Sequence, residues 1–444
     1  MQNKIEKLEI TKLFGRFNYI LDFSEKKSGI SILTAPNGFG KSTILKIIER
    51  FVSGDYFYFI NESFDSIKFT LASGDKITIT RQDDDQKNGH VSIINGRKTV
   101  KVRNPFDDQT KGDQLFLIDR TLPFLTRVSQ KTWRHDRTGE IFNSLQILQR
   151  YGDHPNFRRQ FRQTDWLEEI RKSLSVFSIP THRLKADEPS SETRFDAGNS
   201  SSLMVDAIAK EIKEKIQLAI RNQFEIGRKK ETSFPTRLIE SLSSNIAPSR
   251  ESVRESINAV QEYEERFSRL GLVPNTGTTK QFGDHAESTE TAGMLVLKTY
   301  LDDIREKFSE LDDLARQLDV FCNSINALLA FKAIETSADE GIIVRVIDGE
   351  RQRLSLPVLS SGEQHLIVLI GKLIFDTNQG SLVLIDEPEI SFHPEWQEKF
   401  IGILEDIRGV NGFSALVATH SPILIGDRWE DVIELAEQHE FNIK

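Results

Sequence analysis

"TAPNGFGKST", residues 34–43, comes within one residue of a phosphate-binding loop. The pattern is G-x-x-x-x-G-K-[ST]. Counting back from Gly40-Lys41-Ser42, its first glycine falls on Ala35. The flanks carry the reading. "GISILT" (29–34) is a short, apolar, β-branched run and reads as a buried strand. "KSTILKIIERF" (41–51) sets Ile44, Ile47 and Ile48 at helical spacing, so a helix opens near Lys41. A loop between strand and helix aims backbone N–H groups and a helix N-terminus at an anion. Gly38 and Gly40 allow close backbone approach, with Asn37 and Thr43 in the same loop. Lys41 would hold the β- and γ-phosphates and the Ser42 hydroxyl would ligate Mg²⁺. A methyl at Ala35 is tolerable if its backbone is not left-handed. Taken alone, a glycine-rich turn with a chance lysine would read alike; the rest of the chain decides.

A chain of 444 residues can bury a large core and divide into two or three lobes. Its net charge of −9 excludes a polycation built for nucleic acid, though not a local basic patch. Cys322 is the one cysteine, so a disulfide framework and a cysteine-based zinc site are excluded. The opening "MQNKIEKLEI" lacks the apolar core of a signal peptide, and no run of 18 apolar residues exists. The expectation is a cytoplasmic protein that does not span a membrane.

Three lobes follow from the patterning. Residues 1–184 hold the loop and a β-rich region, with runs "KLEITKLF", "YILDF", "SIKFTL", "KITITR" and "HVSIIN". A helical, basic insert is expected at about 120–172, with Arg150, Arg158, Arg159 and Arg162 close together. "SLSVFSIPT" (173–181) then returns to strand. Residues 185–332 read as a helical arm. A polar loop at 185–202 leads into one face made by Ile208, Ile212, Ile216 and Ile220. Val253, Ile257, Val260, Phe267 and Leu270 make another, and a Gly/Thr/Ser-rich loop covers 271–293. From Met294 through Leu297, Leu301, Ile304, Phe308, Leu311, Ala315, Leu318, Cys322, Ile325 and Leu329, steps of three and four alternate. That is a heptad seam, of coiled-coil type or on a long amphipathic surface helix. Residues 333–444 return to strands ("IIVRVID", "RLSLPVL") and end in an αβ alternation.

That last lobe holds the other half of a nucleotide site. "SLVLIDEPE" (381–389) is an apolar strand running into Asp386 and Glu387, at the edge where α/β sheets bind ligands. Asp386 would hold Mg²⁺ and Glu387 would orient and deprotonate water. An exposed acidic turn would not explain the apolar strand before it. "VLSSGEQHLIVLIGKLIF" (358–375) is a small polar loop opening a helix, a second N-terminus able to meet a phosphate. "FSALVATHSP" (413–422) is a further strand ending in Thr419-His420-Ser421, where the imidazole could bond a γ-phosphate.

Together, the glycine-lysine loop, Leu359-Ser360-Ser361-Gly362-Glu363, Asp386-Glu387-Pro388 and Thr419-His420-Ser421 resemble the ATPase heads of the ABC superfamily. "LIDEPEISFHPEWQ" and "ATHSPILI" resemble its SMC/RecF/OLD-like soluble branch. The resemblance implies an α/β fold: an ABC-type P-loop ATPase head with an antiparallel β-subdomain and an inserted, coiled-coil-like helical arm. It implies ATP and Mg²⁺ as cofactors. Ser360, Gly362 and Glu363 become the signature loop, His420 the switch histidine, and Ser391 to His393 the D-loop region. At the glutamine loop His182 stands where glutamine is usual, beside Thr181. Two heads would sandwich two ATP molecules, each site taking Ser360 from the partner.

"KLFGRFNYILDF" and "IPTHRL" further resemble the ATPase subunits of bacterial anti-phage systems such as Septu and PARIS. That implies a sensor or regulator working with a separately encoded nuclease or toxin, as a homo-oligomer of ATPase dimers such as a hexamer. Only a short stretch follows His420, so the expectation is an ATPase that is not itself a nuclease. The alternative is a RecF- or SMC-like DNA repair or maintenance ATPase. It needs a basic channel, for which Arg150 to Lys172 is the obvious source. The long helical insertion argues against a transporter subunit.

Overall fold

Strands Ile30–Thr34, Leu382–Asp386 and Ser414–Thr419, each almost wholly apolar, lie side by side in one parallel sheet. A strand covered on both faces cannot afford alternation, which is why these read as continuous apolar runs. In this computed structural model the described residues are 3–24, 28–83, 89–103, 118–120, 122–129, 132–151, 164–181, 200–243, 248–274, 291–348, 352–390 and 392–441. The sheet order is Val176–Ile179, Leu382–Asp386, Ser414–Thr419, Ile30–Thr34, Val432–Glu434. Asp386 pairs with Ala418, and Thr419 with Thr34, so the C-terminal ends of the three central strands are level. Ile179 pairs with Ile385, which brings Thr181 to the same edge. The loops that follow residues 34, 179, 386 and 419 therefore leave the sheet at one place.

A six-stranded antiparallel sheet supplies the β-subdomain, in the order Phe17–Asp22, Ile5–Leu13, Ser66–Leu71, Lys76–Asp83, Gly89–Asn95, Lys98–Arg103. Here burial alternates, as in Ser66–Leu71, because one face packs and the other is solvated. The sixth strand is one that the apolar runs did not announce. It closes a hairpin at Gly96-Arg97, with Gly96 left-handed and Asn95 paired to Lys98.

The expected helical insert at about 120–172 is corrected. Leu125–Ser129, Thr132–His135 and Ile141–Asn143 form a three-stranded antiparallel sheet. Helices occur at 118–120, Ser144–Tyr151 and Asp165–Ser173 among the described residues of that segment. Trp133 is fully buried and its indole N–H donates to Asp119 at 2.6 Å, so a strand face rather than a helical stripe carries the core. Arg158, Arg159 and Arg162 lie outside the described residues. Arg150 pairs with Glu140 at 3.1 Å.

The chain forms two compact units. One comprises 1–181, 377–390 and 412–444; the other comprises 182–376 and 391–411. The second unit contains the arm: helices Ser200–Ser243, Arg250–Arg269 and Thr291–Asn326. The 185–202 loop lies outside the described residues up to 199, and the helix already begins at Ser200. Of the 271–293 loop, 275–290 lie outside them too. The heptad seam is a packed one. Met294 and Leu301 bury against Val253, Ile257 and Val260, and Phe308 meets Phe267 edge-on at 5.6 Å. Leu301, Leu311 and Leu318 are fully buried, each worth about 1.5–3 kcal/mol. Arg266 clamps the pair through Asp312 and Asp319, both at 2.6 Å.

Strands Lys332–Ser337, Gly341–Val346 and Arg353–Leu354 belong to this second unit as well. It therefore divides what the sequence reads as one lobe from 333 to 444. Gly341 shows why the strands stay with the arm. Its φ is 77°, and a Cβ there would collide with the Ala209 carbonyl on the long helix. The run "RLSLPVL" yields only a two-residue strand, then a 3₁₀ turn at Leu356–Val358 with Pro357 inside it.

Candidate active site

Helix Lys41–Ser53 starts at Gly40, whose φ is 89°. A Cβ on Gly40 would lie 3.1 Å from Leu13 and 3.2 Å from Phe14, so glycine is required on two counts. Gly38 shares the φ of 89°. No side chain caps this helix, which leaves its first amides for an anion. Ala35 is buried and is not among the chain's left-handed residues. Its methyl thus meets no backbone penalty. Lys41 is 6% exposed, and its ammonium donates to the Ala35 carbonyl at 2.7 Å. That bond uses only the backbone of residue 35. The Tyr19 hydroxyl donates to the Phe39 carbonyl at 2.8 Å and ties the loop to the β-subdomain. Asn37 is exposed at the loop tip, while Ser42 and Thr43 are half-buried.

Across the strand ends, the Ser42 hydroxyl donates to one Asp386 oxygen at 3.0 Å. The Thr181 hydroxyl donates to the other at 3.1 Å. Ser42 and Asp386 offer the hard oxygens Mg²⁺ takes, and that ion needs few protein ligands because water and phosphate complete its shell. No group of three or more His, Cys, Asp or Glu able to hold a metal occurs among the described residues. Of the two neighbours Thr181 and His182, Thr181 meets Asp386; His182 lies outside the described residues.

Glu387 follows in the left-handed region, at φ 46°, and its amide donates to the Ala418 carbonyl at 2.8 Å. A non-glycine residue there is strained, and such strain gathers at functional sites. His420 Nδ1 lies 3.7 Å from Glu387 and 3.3 Å from Glu389. Glu389 was not singled out from the sequence, although "DEPE" contains it.

In the second unit, Ser360 caps helix Ser361–Phe375 in a full capping box. Its hydroxyl accepts from the Glu363 amide at 3.3 Å, and the Glu363 carboxylate accepts from the Ser360 amide at 2.7 Å. Lys332 adds bonds of 2.8 and 3.0 Å to the same carboxylate. Burial pushes the Glu363 carboxyl up, but Lys332 and the Ser360 amide outweigh it and hold it below its ordinary 4.5. A lowered carboxyl stabilises the fold above its unfolded value, and the benefit is lost as pH falls through the lower folded value. Lys332→Met leaves burial in charge, so the signature helix should loosen at higher pH than in the wild type. Hydrogen exchange of the Glu363 and Gln364 amides, followed from pH 6 down to about pH 3, is the measurement. Superimposable wild-type and variant profiles would reject it. Ser391 lies outside the described residues; the His393 carbonyl accepts from the Trp396 amide at 2.9 Å.

Residues 211–426 match the family model described as "AAA domain, putative AbiEii toxin, Type IV TA system". That span includes Ser360 to Glu363, Asp386-Glu387 and His420, and leaves out the loop at 34–43. Over 67 residues the chain is 36% identical to protein ea59 of Escherichia phage lambda, a stretch covering 15% of this chain and 13% of that protein. Among solved structures it is similar to an Smc head domain with an extended coiled coil, bound to the C-terminal domain of ScpA, from Pyrococcus furiosus. The identity is 11% and the TM-score 0.36, covering 97% of this chain and 93% of that one. The SMC head domain from Thermotoga maritima aligns at 11% identity and TM-score 0.33, covering 97% and 94%. No helix among the described residues is long and apolar enough to cross a membrane. The family match spans 216 of the 444 residues, and the loop at 34–43 with Ser42 against Asp386 has the geometry of a P-loop nucleotide site.

Proposed function

We propose that the chain is the ATP-hydrolysing sensor or regulator of a bacterial anti-phage system whose nuclease or toxin is a separate protein. The observation that carries the ATPase chemistry is the row Ser42–Asp386–Thr181, at 3.0 and 3.1 Å, beside Lys41. Lys41 would leave the Ala35 carbonyl for the phosphates. Ser42 and Asp386 would hold Mg²⁺, which offsets phosphate charge when bound. Glu387 takes a proton from water as the water oxygen attacks the γ-phosphorus. The bond from that phosphorus to the bridging oxygen breaks, and ADP leaves. His420 meets the γ-phosphate. Ser360, Gly362 and Glu363 of a second copy would close the site, so the working unit is a head dimer within a homo-oligomer.

The defence role is supported by the family description, which names a toxin, by the phage-encoded relative, and by the openings quoted above. The paired arm helices of 44 and 36 residues favour a second reading, DNA maintenance in the manner of SMC proteins.

The composite site is tested by complementation. Ser360→Arg puts a bulky cation at the partner's γ-phosphate, and Lys41→Ala removes the phosphate anchor. Each alone should be inactive. In a mixed dimer both defects fall in one site and the other is intact. Random exchange makes half the dimers mixed, so about a quarter of wild-type ATPase activity should return. No recovery once exchange is verified would overturn the shared site.

A further inference from the structure

Behind His420 sits a carboxylate that the ATPase chemistry above does not use. The Glu389 side chain is 5% exposed, whereas that of His420 is 51% exposed. One Glu389 oxygen does all the visible work. It accepts from the Thr419 hydroxyl at 2.6 Å and from the His420 amide at 3.1 Å, and it lies 3.3 Å from His420 Nδ1. The other oxygen is buried and has no hydrogen-bond partner among the described residues. Thr419 is itself fully buried, and its hydroxyl accepts from the Ser421 amide at 3.0 Å.

A buried carboxylate with one empty oxygen is an expensive way to anchor a strand end. A glutamine carbonyl would accept the same hydroxyl and amide without the charge. The charge therefore needs another purpose, and the group facing it is the imidazole. Which imidazole nitrogen carries the proton is set by the hydrogen bond the other makes. Two carboxylates compete for Nδ1: Glu389 at 3.3 Å and Glu387 at 3.7 Å.

We propose that Glu389 is a positioning residue that takes the Nδ1–H of His420, fixing its tautomer and aim and keeping Glu387 free of that bond. The consequence for hydrolysis rests on the ATPase reading above; the tautomer does not. With Nδ1–H engaged, Nε2 is the ring nitrogen left for a ligand. Glu387 keeps both oxygens for water. Without Glu389, Nδ1–H would turn to Glu387 and occupy the base, or the ring would revert to its Nε2–H form.

The test uses full-length protein labelled with ¹⁵N-histidine, free of nucleotide, at mildly alkaline pH. The His420 signals are assigned by their loss in His420→Gln. In the wild type the protonated nitrogen should be Nδ1. In Glu389→Gln the population should move toward Nε2–H. ATP turnover by that variant should fall roughly ten- to a hundred-fold in kcat with KM little changed, the pattern of a group acting in the transition state. A purely structural anchor would lower thermal stability but leave the tautomer alone. A wild-type His420 protonated on Nε2 overturns the proposal, as does Glu389→Gln with unaltered tautomer and kcat. If Glu389→Gln does not fold, the wild-type spectrum decides. If the wild type hydrolyses no ATP, the ATPase reading fails while the spectrum still judges Glu389.

Discussion

Lys41→Ala abolishes tight ATP binding. The ammonium is 6% exposed and is held by the Ala35 carbonyl at 2.7 Å, at the mouth of an uncapped helix. Removing it leaves a polyanion facing backbone dipoles alone. Losing one partner of a buried charge pair costs about 2–5 kcal/mol, so Kd should rise from roughly thirty-fold to several-thousand-fold. The fold should survive, since the change removes a buried charge rather than a packed core residue. Calorimetric titration with ATP and Mg²⁺ measures the effect, with thermal melting as control. Unchanged affinity would show that the nucleotide sits elsewhere. The same variant separates the defence role from DNA maintenance. If the proposed defence role holds, the variant placed in its whole locus should lose the protection against phage that the wild type gives. Equal plaque counts for wild type and variant would remove the defence reading.

Glu387→Gln should keep ATP and stop hydrolysing it. Glutamine has the shape of glutamate but cannot accept the proton from water, while Asp386 keeps Ser42 at 3.0 Å and Thr181 at 3.1 Å. Loss of a positioned general base typically costs about 10²–10⁴ in rate. Binding energy is untouched, so kcat falls and affinity does not. If ATP closes a head dimer, the variant should persist as an ATP-bound dimer in size-exclusion chromatography. Hydrolysis at the wild-type rate would show that another group is the base.

What the sequence disclosed follows from physical constraint. Ile30–Thr34, Leu382–Asp386 and Ser414–Thr419 were legible because strands buried on both faces must be mostly apolar. The heptad seam was legible because packing along the whole of helix Thr291–Asn326 imposes one period. The hairpins between 125 and 143 were not. Their buried anchors are Leu125, Trp133 and Phe142, too far apart to set any period. Lys332–Ser337 hid for a similar reason, burying only Ile334 and Thr336. The candidate site divides the same way. A phosphate loop needs glycine, lysine and hydroxyl at fixed local spacing, so Gly38, Gly40, Lys41 and Ser42 could be read together as candidates, and Asp386 stood out as the acid that ends an apolar strand. Thr181 meets Asp386 across 205 positions, and Lys332 meets Glu363 across 31. No local pattern encodes such meetings.

The left-handed backbone at Glu387 has an evolutionary corollary. At φ 46° an L-residue with a side chain costs about 1 kcal/mol, whereas glycine or asparagine rests there more easily. Drift alone would favour replacing this glutamate, because the replacement relaxes the chain. Its persistence in a lineage would then signal that turnover, and not nucleotide binding alone, is under selection. A descendant that had become a mere ATP-responsive scaffold should shed it early, while the glycines, the lysine and Asp386 remained.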